Sequence, residues 1–388
     1  MTYMNEGPNV NESIKTLSDF INIASINPPG VEELIAKYIE DYLNNFGLNT
    51  EKIYIDEKRY NVLSRIKGKN PKAKKIIFNG HMDVVPVSES EQKLWKTDPF
   101  HAQIIGGRLY GRGSSDMKSG LAAAMIAMCF LKRNHLIPEG DVLFLATVDE
   151  EDTMKGIKAV VDTDLLNDVD YAVVCEPTHL KLANQCKGRT WSEVSVLGES
   201  AHASIRDGGH NAISDAIDII QAIRKHKLPN VPDTILEQSF WQVNLINGGI
   251  EPAIVPDSCN FTVDARVSPG HSCDFIWSQL ELLIDSLPKK YKWNYKILEK
   301  REPWQISPSE PLPRECCKYM TDLGMSTELS AFHGTTDGTV LFKHGITPVI
   351  IGPGGMELAH RENEYVTISE FEQAIYLYLN IMMNGIKA

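Results

Sequence analysis

Apolar residues recur at helical spacing early in the chain. Val31, Leu34, Ile35, Tyr38, Ile39, Tyr42 and Leu43 fall at i, i+3, i+4 and i+7, and Gly47 suits the C-terminal cap. The break Pro28-Pro29-Gly30 separates this predicted helix from an earlier one over residues 11–26, carried by Ile14, Leu17, Phe20 and Ile21. Short apolar runs then alternate with helices: a strand at 75–79, a helix near 118–133, and strands at 142–148 and 171–175. Much later come a strand at 347–351 and a last helix over 368–382. Continuous apolar strands separated by helices predict an α/β fold whose central sheet is mostly parallel and flanked by helices.

The middle of the chain follows another rhythm. Strand (190–197), helix (211–226), strand (241–246), strand (259–267), helix (273–287) and strand (291–298) is the ferredoxin-like order. Cys259, Phe261, Val263, Ala265 and Val267 alternate with polar neighbours, as one-sided antiparallel strands do. The expectation is an α/β domain built from residues 1–186 and 300–388, with an α+β domain inserted at 187–299.

Composition narrows the function. The formal net charge of −12 disfavours nucleic acid and anionic membranes as partners. No apolar run approaches the roughly 20 residues of a membrane helix, and residues 1–13 lack the basic and apolar regions of a signal peptide. Seven cysteines without a Cys-x-x-Cys pair argue against a disulfide framework or a thiolate metal site, so the expected location is the cytoplasm.

Ligands of a parallel sheet bind beyond the carboxyl ends of its strands, and in this chain those ends are acidic. His81 and Asp83 follow the first strand and, two apart in extended backbone, leave it on one side. Asp116 follows Tyr110-Gly111-Arg112-Gly113 just before a helix. Asp149, Glu150 and Glu151 follow residues 142–148, and Glu176 follows 171–175. A glycine loop, Gly352-Pro353-Gly354-Gly355, precedes His360. Two carboxylates about 4 Å apart repel by roughly 4 kcal/mol at an effective dielectric of 20. Protonation or a bound cation must relieve such crowding, and histidines mixed with carboxylates favour a transition metal such as zinc. Two histidines and at least three carboxylates exceed the needs of one four-coordinate ion, which points to two ions roughly 3.5–4 Å apart. Residues 111–119 fail as a phosphate-binding loop, because Met117 stands where a glycine must precede Lys118. They fail as a dinucleotide fingerprint because Asp116 occupies the place of the third glycine.

Five motifs occur in one order: His81-Met82-Asp83, Gly111-Arg112-Gly113-Ser114-Ser115-Asp116-Met117-Lys118-Ser119-Gly120, Asp149-Glu150-Glu151, Cys175-Glu176-Pro177 and Ala359-His360. Together they resemble the di-zinc family of acetylornithine deacetylase, succinyl-diaminopimelate desuccinylase, aminoacylase and carboxypeptidase G, over nearly the full chain. The resemblance implies that Asp116 bridges two divalent ions, zinc first with cobalt or manganese as alternatives. His81 and Glu176 would complete one site, and Glu151 and His360 the other. Glu150 would be the general base and Asp83 would orient His81; the residues alone do not say which of Glu150 and Glu151 is base and which is ligand. The Asp116–Met117 peptide would be cis. The inserted domain would act as a lid and dimerisation domain. Its His202, in Gly198-Glu199-Ser200-Ala201-His202-Ala203, would reach the partner subunit's site in a homodimer and stabilise the oxyanion. Arg266, in Asp264-Ala265-Arg266, would grip a substrate carboxylate, for which its planar fork is suited. One position departs from the pattern: Ala253 stands where many relatives carry Asn, which affects substrate-binding geometry rather than the metal site.

The implied activity is metal-dependent removal of an acyl group from an N-acyl amino acid. Gly334-Thr335-Thr336-Asp337-Gly338 looks more like the desuccinylase branch than the deacetylase branch. A dipeptidase or carboxypeptidase acting on short peptides is the alternative within the family. A catalytically silent ligand carrier is the alternative outside it, but there a lost base or ligand is expected, and Glu150 and all five ligand candidates are present.

Overall fold

The computed structural model describes residues 7–205, 207–232 and 234–387. It divides into two units. The first comprises Met1–Asn184, Ile306–Phe332 and Thr336–Ala388; the second comprises Gln185–Gln305 with His333–Thr335.

The first unit is built on a mixed sheet. Its centre is four parallel strands in the order Val142–Thr147, Ile76–His81, Tyr171–Val174, Thr347–Ile350. Val142–Thr147 and Ile76–His81 are buried at every position, which explains why residues 142–146 and 76–78 read as continuous apolar runs rather than alternating ones. Antiparallel strands flank this centre. Tyr60–Ile66 pairs with Val142–Thr147 and in turn carries Thr50–Tyr54, while Leu182–Cys186 pairs with Thr347–Ile350 on the far side. The parallel centre agrees with the sequence expectation. The antiparallel margins add strands that periodicity did not reveal, because a five-residue strand such as Thr50–Tyr54, half in water, carries too few apolar positions to mark itself.

Helix Lys118–Arg133 is buried along nearly its whole length, which suits its run of alanines. Helix Ile368–Asn384 packs across it, as does Val10–Asn22. Lys118 is itself buried, and its Nζ donates to the carbonyls of Phe20 (2.9 Å) and Ile23 (2.7 Å), tying the end of the first helix to the start of this one. Burial, only partly offset by Glu364 and Asp83, pulls its ammonium down to about 7. A separate three-stranded sheet, Gln103–Ile105, Arg108–Tyr110 and Tyr365–Thr367, joins the loop before that helix to a late part of the chain.

The second unit is a four-stranded antiparallel sheet in the order Phe240–Gly248, Ser258–Val267, Gly188–Leu197, Lys292–Arg301. With helices Ala212–Lys225 and Cys273–Asp285 between strands, this is the ferredoxin-like arrangement. Asn211 and Ser272 cap the helices through their side chains. The helices bury one face of the sheet, where Val194, Val196, Phe261 and Val263 meet Ile219, Ile276 and Trp277.

Close helix–sheet approach in the first unit depends on Gly120. A β-carbon there would lie 1.9 Å from the Cys175 carbonyl oxygen, a backbone atom that cannot swing aside. Gly120→Ala is therefore expected to lower stability by about 1–3 kcal/mol through overpacking. Urea unfolding measures this, and an unchanged midpoint would show that the strand end before Glu176 is free to shift.

Candidate metal centre

His81 is the last residue of its strand, and its ring is fixed from below. Nδ1 lies 2.9 Å from the Asp83 backbone oxygen and 3.5 Å from its Oδ1. A carbonyl can only accept, so Nδ1 carries a proton, which leaves Nε2 as the nitrogen that could bind a cation once its own proton is shed. That Nε2 faces Asp116 Oδ1 at 3.2 Å and Glu176 Oε1 at 3.6 Å.

Asp116 reaches the same point from the loop before helix Lys118–Arg133. Its second oxygen, Oδ2, lies 3.3 Å from His360 Nε2, which also stands 3.0 Å from Glu151 Oε1. The two Asp116 oxygens thus face two histidines that lie 279 positions apart in sequence (360 against 81). The peptide between Asp116 and Met117 is cis. His360 is about half exposed and adopts φ 58°, whereas His81, Asp116, Glu150 and Glu176 are buried.

The carboxylate of Asp83 has a further task that sequence reading missed. Oδ1 accepts the backbone N–H of Glu150 (3.2 Å) and Oδ2 that of Glu151 (3.1 Å), while Asn27 Nδ2 donates to Oδ2 at 2.9 Å. One carboxylate therefore holds the turn that carries both acidic residues. Behind it, Arg59 donates to Glu32 and to Asp149 Oδ1 (2.9 Å), balancing buried negative charge. Deeper still, Asp337 Oδ2 accepts from Thr147 Oγ1 at 2.6 Å, and burial raises this carboxyl to about 6. Neither Asn27, Arg59 nor Glu32 carried a sequence signal, because each acts through a fold-dependent contact.

Ligand atoms of His81, Glu150 and Glu176 lie within 4.8 Å of one another, and so do those of His81, Asp116 and Glu151. The electrostatics fit a cation. Burial, and then the charges of Asp116 and its neighbours, push the Glu176 and Glu151 carboxyls up, the latter despite His360. Burial lowers the His81 imidazolium, but Glu176, Asp116 and Asp83 outweigh this and raise it. Borrowed protons thus do part of the neutralising that a metal would do, and the nitrogen and oxygen donors suit zinc-type ions.

The other two candidates lie in the second unit. His202 is exposed, its Nδ1 2.7 Å from Ser204 Oγ, and its segment is held by the Ala203 N–H donating to the Ala253 carbonyl at 2.9 Å. Ala253 therefore contributes through its backbone, which any residue supplies. Arg266 lies on the open face of the sheet, where Nε and Nη2 each donate to Asp264 at 3.1 Å.

The family model of Peptidase family M20/M25/M40 matches residues 77–384. The chain belongs to this family. It is similar to a succinyl-diaminopimelate desuccinylase of Colwellia psychrerythraea, with 29% identity over 98% of this chain and 97% of that one. A probable succinyl-diaminopimelate desuccinylase of Staphylococcus aureus is 27% identical over 95% of each chain. Among solved structures, an aminopeptidase from Bacillus cereus shares the fold with a TM-score of 0.78 at 18% identity, covering 97% of this chain and 98% of that one. The protein is accordingly a metal-dependent hydrolase acting on amide bonds.

Burial lowers the His360 imidazolium, but Asp116 and Glu151 outweigh it and push it up to about 11. A cation needs that nitrogen unprotonated, so binding must expel a proton and apparent affinity must rise with pH between 6 and 8. Calorimetry in two buffers of different ionisation enthalpy measures the release; a pH-independent affinity with no proton released would contradict this arrangement.

Proposed function

We propose that the protein is a dinuclear amidohydrolase that removes a succinyl or related acyl group from an N-acyl amino acid. The observation that carries this reading is Asp116, whose two oxygens face His81 and His360 separately, as a bridging carboxylate must. His81 and Glu176 would hold one ion, Glu151 and His360 the other, with zinc ahead of cobalt or manganese. Bound there, the ions would polarise the scissile carbonyl and acidify a water. Glu150, buried beside His81 and Glu176, would take the water's proton and pass it to the leaving amine. Asp83 serves this step by holding the backbone of Glu150 in place.

The succinyl preference is supported by the two desuccinylase relatives, which match along almost their full lengths. We further propose a homodimer in which His202 of one subunit meets the charge developing on the substrate oxygen in the other, while Arg266 grips a substrate carboxylate. Strand Phe240–Gly248 is an edge strand, and its Leu245 and Ile246, with Ile250 just after it, are exposed, features that an interface would cover. A cytoplasmic location is supported by seven free cysteines, six of them buried.

Glu150→Ala is expected to lower turnover by at least about a hundredfold, the usual scale of a general base, while metal analysis still finds two ions. Loss of an ion instead would exchange the roles of Glu150 and Glu151. A hydrolysis panel of succinyl-amino acids, acetyl-amino acids and dipeptides should show the highest kcat/KM for a succinyl substrate. A clear preference for dipeptides would replace the deacylase reading with a peptidase one.

A further inference from the structure

Glu364 is a buried carboxylate on the border of a site already crowded with negative charge, and its side chain holds the backbone, not the side chain, of Asp116. Its Oε1 accepts two backbone N–H groups, those of Ser115 (2.8 Å) and Asp116 (3.0 Å). Its Oε2 accepts from Arg112 Nη1 at 2.9 Å. Arg112 is fully buried and also donates to Glu91, whose Oε1 takes the Trp95 indole N–H at 3.2 Å. The Glu364 backbone belongs to the same construction, because its carbonyl accepts the Gly111 N–H at 3.0 Å and the following strand, Tyr365–Thr367, pairs with Arg108–Tyr110.

Residues 111–116 are therefore held on both sides of the turn that presents Asp116. The loop is gripped at Gly111, at Ser115 and at Asp116 itself by one residue. Ser115 Oγ adds a link to the other side, donating to the Gly355 carbonyl and accepting the Gly355 N–H, each at 3.0 Å. Both grips come from residues 355–364, the stretch that also carries His360. A shift of this stretch would move Asp116 and His360 together and preserve their 3.3 Å approach.

We propose that Glu364 is a positioning residue of the metal centre, a clamp that aims the two Asp116 oxygens at separate ions. This rests on the reading of Asp116 as the bridging ligand. Residues that hold a metal ligand without touching the metal typically change affinity by about 10–100-fold when removed. The clamp works through its acceptor oxygen, whereas a plain ion pair with Arg112 would need only its charge.

Zinc affinity and stoichiometry measured on purified protein, with kcat/KM at saturating zinc, separate these roles. Glu364→Ala is expected to weaken at least one zinc by about 10–100-fold, with activity partly restored by excess zinc. Glu364→Gln keeps an oxygen for both backbone N–H groups and should stay within about threefold of the unaltered protein, far inside the usual range for a lost supporting contact. The double variant Arg112→Leu with Glu364→Leu removes the buried pair together, leaving only the partly exposed Glu91, which keeps the Trp95 indole N–H, and should lose affinity as Glu364→Ala does; it decides the matter if the single alanine variant does not fold. Unaltered affinity in Glu364→Ala or in the double variant, or equal losses in Glu364→Gln and Glu364→Ala, would overturn the clamp while leaving the dinuclear reading intact. Failure of the unaltered protein to bind two zinc ions would instead remove the dinuclear reading and the clamp with it.

Discussion

The approach of Asp116 to both His81 and His360 is the interaction on which the rest of the site depends. Four carboxylates and two imidazoles stand within a few ångströms of one another at the end of a buried sheet. Uncompensated, that charge would cost several kcal/mol per close pair, a large fraction of the stability of a whole domain. Protons taken up by the raised carboxyls and imidazoles relieve part of it, and the groups converge where a cation would relieve the rest. Burial then becomes an advantage, since a low-dielectric surrounding strengthens every attraction a bound cation makes.

Holding such a cluster is mainly the work of carboxylates that are not ligands. Asp83 grips the backbone of Glu150 and Glu151, and Glu364 grips that of Ser115 and Asp116. Backbone N–H groups neutralise these carboxylates without adding mobile positive side chains that would compete with a metal. Arg59 and Arg112 complete the balance farther out, each shared between two acids. The pattern is a negatively charged centre held by hydrogen bonds and flanked by the paired positive charges of Arg59 and Arg112, which fixes the orientation of its carboxylates and imidazoles.

The second unit contributes a different kind of surface. Its helices cover one face of a small antiparallel sheet and leave the other open, with Arg266, Asp264 and Trp191 tied together there by hydrogen bonds. His202 sits on an exposed segment steadied by backbone pairing rather than by a packed side chain.

Much of this was legible in the residues themselves. The short apolar strands read at 75–79 and 142–148 announced a buried parallel sheet, because both faces of such strands are covered. Acidic and imidazole residues at their ends announced the cluster, because strand order places those ends together. Alternation at Cys259, Phe261, Val263 and Ala265 announced a one-sided sheet. Tertiary structure alone decided which atoms face which. Nothing local distinguishes Glu364 from any acid before a short strand, or Asn27 from any turn residue. Their partners lie 249 and 56 positions away in sequence, and a hydrogen bond of that span exists only after the intervening chain has folded.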